Sequence, residues 1–375
     1  MNNQKIKILM VLGNTGRGGA QAYVMNVLRS IDKRRFKIDI AVNESKPDGY
    51  DDEIRLCGSD IYYFPKFKIF NWYQFQKRWE ELLKTQKYDI IEAHATNSAS
   101  VYFNMAKKLG IRTIAHSHSA GYRGKKVEKM IKKLFSRLTK AKSDYWFACS
   151  DLAAKRLFGD DYKFFPRYYE IPNAIDTIEF KFDKEKRDYI RNKLGISNNT
   201  MLIGHVGTFS EPKNHSFLID VFYEMQNYKT EFKLLLLGDG QLRNVIIEKV
   251  KKMGLTDRVI FAGNVQNVNE YMMAMDAFVF PSIFEGFPVV LIEAQTTGLP
   301  CFISDSITDE VSQTDLITRI SLDLQPQEWS NTIKSSIPTE RTKYFPIIHN
   351  SKYEIKNNVE FLMQLYQKIL DDQNK

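Results

Sequence analysis

Two acids stand eight residues apart in "PSIFEGFPVVLIEAQTTGLP", Pro281 to Pro300: Glu285 and Glu293, on either side of Gly286-Phe287-Pro288. The stretch is otherwise apolar, and a free carboxylate on an apolar helix is costly unless paired. Two readings follow. Glu293 pairs with a core Arg or Lys, or both acids accept hydrogen bonds from a ligand rich in hydroxyls. Pro288 suits the first position of a helix. Glu285 then sits in the loop before it, and Glu293 one to two turns inside. The amides of Gly286 and Phe287 and the helix start at Val289 would favour an anion. Spacing alone leaves both readings open.

Other residues invite chemistry. Lys213, in "GTFSEPKNH", is a point charge suited to a diphosphate, or else a solvated loop lysine. Gly13, Gly16, Gly18 and Gly19 follow an apolar strand and open a helix. Glycines there let backbone N–H groups approach an anion, or simply make a tight turn. The spacing is not the dinucleotide G-x-G-x-x-G. His116 and His118, in "TIAHSHSAG", offer an acid, a base or a hydrogen-bond donor, or are inert loop residues. No third ligand is near them in sequence, so no metal is expected.

These residues need elements to hold them. "KIKILMVL" reads as a buried strand, and Ala20–Ser30 as a helix. Further strands are expected at Phe36–Val42, Tyr88–Ala93, Arg112–His116 and Tyr145–Ala148. The pattern shifts near "IPNAID", Ile171–Asp176, and a charged run follows, Lys181–Lys193. It then restarts with strands at Met201–Val206, Phe232–Leu237, Val259–Phe261, Ala277–Phe280 and Cys301–Ser304. Helical segments between strands mean parallel sheets covered on both faces. The expected fold is α/β, with two doubly wound, Rossmann-like domains at 1–175 and 176–350. A last helix in 351–375 can cross back to the first. Ligands of such sheets bind at the carboxyl ends of strands. The residues named above lie there, and two facing sheets would make a cleft.

A chain of 375 residues with 43% hydrophobic and 26% charged residues fits two globular domains. Its net charge of +9 favours anionic partners. Cys57, Cys149 and Cys301 are scattered, which argues against a disulfide framework and fits a reducing cytoplasm. No run is long and apolar enough to span a bilayer, and the N-terminus shows no leader pattern. Arg123–Lys142, "RGKKVEKMIKKLFSRLTKAK", is basic with one acid, Glu128. Val127, Met130, Ile131, Leu134, Phe135 and Leu138 fall on one helical face. The helix either packs that face on the first sheet, or rests on anionic lipid, or does both. It lacks the interleaved aromatics of a nucleic-acid platform, so no nucleic acid is expected.

Taken together, these segments resemble the family 4 retaining glycosyltransferases of GT-B fold, most closely bacterial enzymes of capsular or extracellular polysaccharide synthesis. The resemblance covers roughly Ile6 to Ser304. It rests on "GGAQ" (Gly18–Gln21), "HSH" (His116–His118), "IPNAID", "FSEPKNH" (Phe209–His215), "LLLLGDG" (Leu234–Gly240) and the E-x7-E element "PSIFEGFPVVLIEA". It implies transfer of a sugar from a nucleotide-sugar donor, a UDP-sugar by analogy, to a glycan or lipid-linked acceptor. The first domain would bind acceptor and the second donor. Glu285 would contact donor-sugar hydroxyls and Glu293 the ribose. Lys213, Gly18 and Gly19 would lie by the diphosphate, and backbone from Gly286 to Val289 by sugar and diphosphate. His118, with His116 as second choice, would lie near the reacting sugar. No metal or other cofactor is implied, and the expected place is the cytoplasmic face of the cell membrane, through 123–142. One departure stands out: relatives commonly carry Arg where this chain has Thr208. Arg17, Lys213 and the helix beginning at Val289 would then neutralise the leaving group. A GT-B epimerase or a sugar-nucleotide-binding protein without catalysis are the alternatives.

Overall fold

The computed structural model describes residues 5–16, 18–44, 46–118, 126–227, 230–335 and 340–372. Arg17 and 123–125, named above, lie outside them. The chain divides into two units, 1–175 with 355–375, and 176–354.

In the first unit seven strands form one sheet: β1 (Ile6–Leu12), β2 (Phe36–Val42), β3 (Ile61–Tyr63), β4 (Ile90–Ala93), β5 (Arg112–Ser117), β6 (Tyr145–Ala148) and β7 (Tyr168–Glu170). Their order is β3-β2-β1-β4-β5-β6-β7, with every pair parallel. The second unit has six: β8 (Met201–Val206), β9 (Phe232–Leu237), β10 (Val259–Gly263), β11 (Ala277–Phe280), β12 (Cys301–Ser304) and β13 (Ile317–Ile320). Their order is β10-β9-β8-β11-β12-β13, again all parallel. Helices cover both faces, so central strands read as unbroken apolar runs. Ile8–Val11 and Leu234–Leu237 are wholly buried.

Two expectations change. The edge strands β3, β7 and β13 were not anticipated. They are three or four residues long and carry no apolar run. The charged stretch near the boundary is also more than a linker. It forms the helix Lys184–Lys193, capped by Asp183, whose side chain accepts from the amides of Glu185 and Lys186. Arg187 and Arg191 reach Asp276 at 2.5 and 3.0 Å, and both donate to carbonyls ending the helix Val268–Ala274. The charges are spent on a neighbouring helix terminus, which explains how Arg191 is buried.

The last helix, Ile355–Asp371, packs in the first unit. It buries Val359, Leu362, Leu365, Tyr366 and Ile369 in the core that also holds Ile8, Met10 and Val24. Ile355 N donates to Ile175 O at 2.8 Å, and Asn358 Nδ2 to Pro172 O at 3.2 Å. Among the described residues no helix is long and apolar enough to cross a membrane. Leu362→Ala should cost about 2–5 kcal/mol of stability, since it opens a cavity in a close-packed core. Urea unfolding checks this, with the exposed Glu360→Ala expected within about 0.5 kcal/mol of the parent.

Candidate active site

In each sheet the strand order reverses once, between β1 and β4 and between β8 and β11. Loops leaving the carboxyl ends of such a pair diverge to opposite faces, and the crevice between them is the usual ligand site of an open parallel sheet. Each unit carries its candidate residues there.

In the second unit, β8 runs into Gly207-Thr208 and a short turn, Glu211–Lys213. β11 runs into Pro281–Pro288 and the helix Val289–Thr296. Ile283 N donates to Pro212 O at 2.8 Å, bracing one loop on the other. Lys213 Nζ lies 2.7 Å from Glu285 Oε1, an ion pair without hydrogen-bond geometry at that oxygen. The ammonium also sits 4.7 Å from the Phe280 ring centroid. A Cβ at Gly207 would come within 3.3 Å of the Lys213 stem, so glycine lets the lysine lie along the backbone. Gly238 has φ +125, and a Cβ there would stand 2.2 Å from Gly207 O, so β9 also needs glycine at its exit. Between these glycines Thr208 is exposed beside a pocket lined by Val206, Leu237, Asp239, Asn264 and Val268. A hollow in the first unit, lined by Lys5, Lys33, Lys37 and Gly58, lies at the amino ends of β1 and β2.

Pro288 is the residue just before the helix rather than its first, with φ −79 and ψ 92. Phe287 is buried and stacks on Tyr353 at 5.5 Å, so its ring serves packing and only its backbone is available to a ligand. Glu293 lies one turn inside the helix. The residue is half-buried, and burial pushes its carboxyl up to about 7. Among the described residues no Arg or Lys pairs with it. The core-pairing reading of Glu293 therefore finds no partner.

In the first unit, Gly18 precedes the helix Gly19–Ser30, with no side-chain cap and no acid in its first turn. Asn14 Oδ1 accepts from Gly16 N at 3.2 Å and from Gln21 Nε2 at 2.7 Å, shaping the turn. Behind it the Asp51 carboxylate accepts from Thr15, and Tyr50 N donates to Thr15 O.

His116 lies inside β5, wholly buried, and His118 just beyond its end. The structure adds a third imidazole that sequence spacing missed, His94, one residue past β4. Register shows why: Glu92 pairs with Ile114 and Ala93 with Ala115, so His94 and His116 meet side by side. His118 Nδ1 donates to Asn173 Oδ1 at 2.8 Å. Its Nε2 is then the acceptor, and His94 Nδ1 donates to it at 2.7 Å. His94 Nε2 is left facing Glu92 Oε1 at 3.5 Å. His116 Nδ1 donates to the same oxygen at 2.7 Å, and the Tyr366 hydroxyl to Oε2. Burial holds the three imidazoles well below the usual histidine range, His116 at about 3, and pushes Glu92 up. The stack is therefore neutral at physiological pH. Three imidazole nitrogens lie within 4.8 Å of one another, enough for a metal ligand set. The rings instead lie nearly parallel, His116 on His118 at 4.1 Å and 28°, and two of the nitrogens are bonded to each other. Both nitrogens of His118 are engaged, while His116 Nε2 has no partner among the described residues.

Two doubly wound parallel sheets with loop-borne sites at their switch points define the GT-B fold. HepE of Anabaena, solved with UDP-glucose, shares it with a TM-score of 0.73 over 98% of this chain and 99% of that chain, at 17% identity. Residues 17–179 match the family model described as Glycosyltransferase Family 4, and 186–314 the one described as Glycosyl transferases group 1. The chain is 33% identical over 98% of its length, and 97% of the other, to EpsF of Bacillus subtilis, named as a glycosyltransferase. It is 25% identical to the capsular polysaccharide biosynthesis glycosyltransferase CapH of Staphylococcus aureus, over 96% and 98% of the two chains. It is 27% identical, over 81% and 80%, to the UDP-Gal:alpha-D-GlcNAc-diphosphoundecaprenol alpha-1,3-galactosyltransferase of Escherichia coli. The chain belongs to the family 4 glycosyltransferases.

The Glu293 carboxyl yields a pH test. Its folded value near 7 exceeds the ordinary 4.5, so the folded state holds an extra proton between these values. That contribution is present below about 4.5 and is lost as pH rises through about 7, up to about 3 kcal/mol in all. Glu293→Gln removes the loss. The variant should gain stability relative to the parent between pH 5 and pH 8, measured by urea unfolding without ligand.

Proposed function

We propose that this enzyme moves a hexosyl group, with retention, from a UDP-sugar to a lipid-linked glycan during assembly of a surface polysaccharide. The observation that carries this reading is the Lys213–Glu285 pair at the second sheet's switch point, with the half-buried Glu293 one turn inside the helix that follows. A cation for a departing diphosphate and two carboxylates for hydroxyls are what such a donor requires. The sequences named above add support: the Escherichia coli relative is named for a UDP-galactose donor and a diphosphoundecaprenol acceptor, and HepE was solved with UDP-glucose.

In this reading Lys213 leaves Glu285 when donor binds and turns to the diphosphate. The freed Glu285 accepts from sugar hydroxyls. The amides from Gly286 to Val289 and the helix start add positive potential where charge develops on the leaving oxygen. Glu293 takes the ribose hydroxyls, and the pocket beside Thr208 the base. Positive charge comes from the protein, so no metal is required and chelators leave activity unchanged. Gly18 and Gly19 approach the diphosphate from the first unit. His118 lies by the reacting sugar, and the neutral stack behind it adds no charge. The basic segment 123–142 holds the enzyme on anionic lipid at the cytoplasmic face.

A donor screen read by nucleoside diphosphate release, using membranes that supply lipid-linked acceptors, tests the assignment. The anomeric configuration of the product by NMR tests retention. Glu285→Ala should lower kcat about a hundredfold, because sugar placement sets the reaction geometry. Glu293→Ala should mainly raise the donor KM, about tenfold, because ribose is held alike in ground and transition states. Wild-type kinetics in both variants would remove the E-x7-E element from the site. Thr208→Arg should tighten binding of UDP by adding a bidentate cation. Weaker binding in a folded variant would mean that the diphosphate is already neutralised.

A further inference from the structure

The helix Lys126–Lys142 does not bury all of its apolar stripe. Met130, Leu134 and Leu138, at successive i, i+4 positions, are 68%, 56% and 38% exposed. Phe135, further round the helix, is partly covered by a second element. Phe67 meets its ring edge-on at 5.2 Å, Trp72 lies 6.4 Å away, and Phe67 and Trp72 are 5.7 Å apart. These two belong to the turn that opens the helix Trp72–Gln86. In that turn Phe70 is 85% exposed, Tyr73 77% and Trp72 39%. The core beneath is complete without them, since Phe64, Trp79 and Tyr102 stack on one another at 4.3 and 4.0 Å. Six large apolar side chains from two elements thus adjoin in open solvent, more than a soluble surface usually leaves uncovered.

The charge around them points to one kind of partner. Lys68 lies 5.3 Å from the Phe70 ring centroid, and Lys133 and Arg137 are exposed on the basic helix. Neither 61–79 nor 129–143 contains an Asp or Glu. Aromatic rings on a turn, an aliphatic ridge and cations without acids match the layered interface of an anionic bilayer. There, apolar groups enter the acyl boundary while ammonium and guanidinium groups stay among the phosphates. We propose that the Phe70–Tyr73 turn and the Met130/Leu134/Leu138 ridge form an insertion surface for anionic lipid, so that attachment is apolar as well as electrostatic. This deepens the membrane contact proposed above and takes its choice of a bilayer from that reading.

The tryptophans supply the probe. The chain has four, and Trp79, Trp146 and Trp329 are 0%, 9% and 0% exposed, which leaves Trp72 to meet lipid. Vesicles of phosphatidylglycerol and phosphatidylcholine with brominated acyl chains should quench its fluorescence. Quenching should persist at about 0.5 M salt, where charge attraction is screened. Phe70→Ser with Tyr73→Ser should lower the partition coefficient at that salt about tenfold or more, and Met130→Ser with Leu134→Ser likewise. Both pairs are more than half exposed, and unchanged UDP binding and circular dichroism check their folding. Binding that disappears at high salt with the tryptophan unquenched would overturn the insertion surface and leave a purely electrostatic contact standing. That contact is separately tested by Gln at Lys125, Lys126, Lys129, Lys132 and Lys133, which should abolish binding at low salt. No binding of the parent at either salt would overturn both.

Discussion

An open parallel sheet leaves a natural crevice where its strand order reverses, and both units are organised around that constraint. Two neighbouring loops part there, and whatever the site needs must then hold them in register. In the second unit the brace is a main-chain hydrogen bond from Ile283 to Pro212 beside the Lys213–Glu285 ion pair. In the first a column of imidazoles ties the loop after β4 to those after β5 and β7, with His94 bonded to His118 and His118 to Asn173. The same architecture is therefore braced by charge in one half and by neutral polar groups in the other.

The imidazole column depends in turn on Glu92. An acid on a central strand carries a heavy desolvation cost, and burial accordingly pushes its carboxyl above the usual range and disfavours the ionised form. Two donors converge on it, His116 Nδ1 and the Tyr366 hydroxyl, while the unprotonated Nε2 of His94 faces it at 3.5 Å. Tyr366 comes from the last helix, so that helix helps to orient the carboxyl on which the imidazole column rests.

Central strands were legible because their apolar runs have no other use, whereas spacing alone left two readings of Glu285 and Glu293, and the E-x7-E element came from the resemblance. The edge strands β3, β7 and β13 were not legible, since short, half-exposed strands are specified by pairing rather than by composition. His94 was missed because adjacency across strands is a matter of register, which a linear reading does not contain. A signal existed nonetheless: it stands just past a strand end, as His118 does. The run Lys181–Lys193 was noted only as charged, and the carbonyls ending a neighbouring helix reveal what Arg187 and Arg191 are for.

The route of the chain has a consequence for biosynthesis. The second unit is one continuous segment, 176–354, while the first is completed only by 355–375. As the polypeptide leaves the ribosome, the second unit has all its strands before the first has its last helix. Until then the first unit waits with the places of Leu362 and Tyr366 vacant and Glu92 lacking a donor. The half that holds β1 is thus completed last, and losing the segment 355–371 would take Leu362 and Tyr366 from the first unit while leaving 176–354 whole.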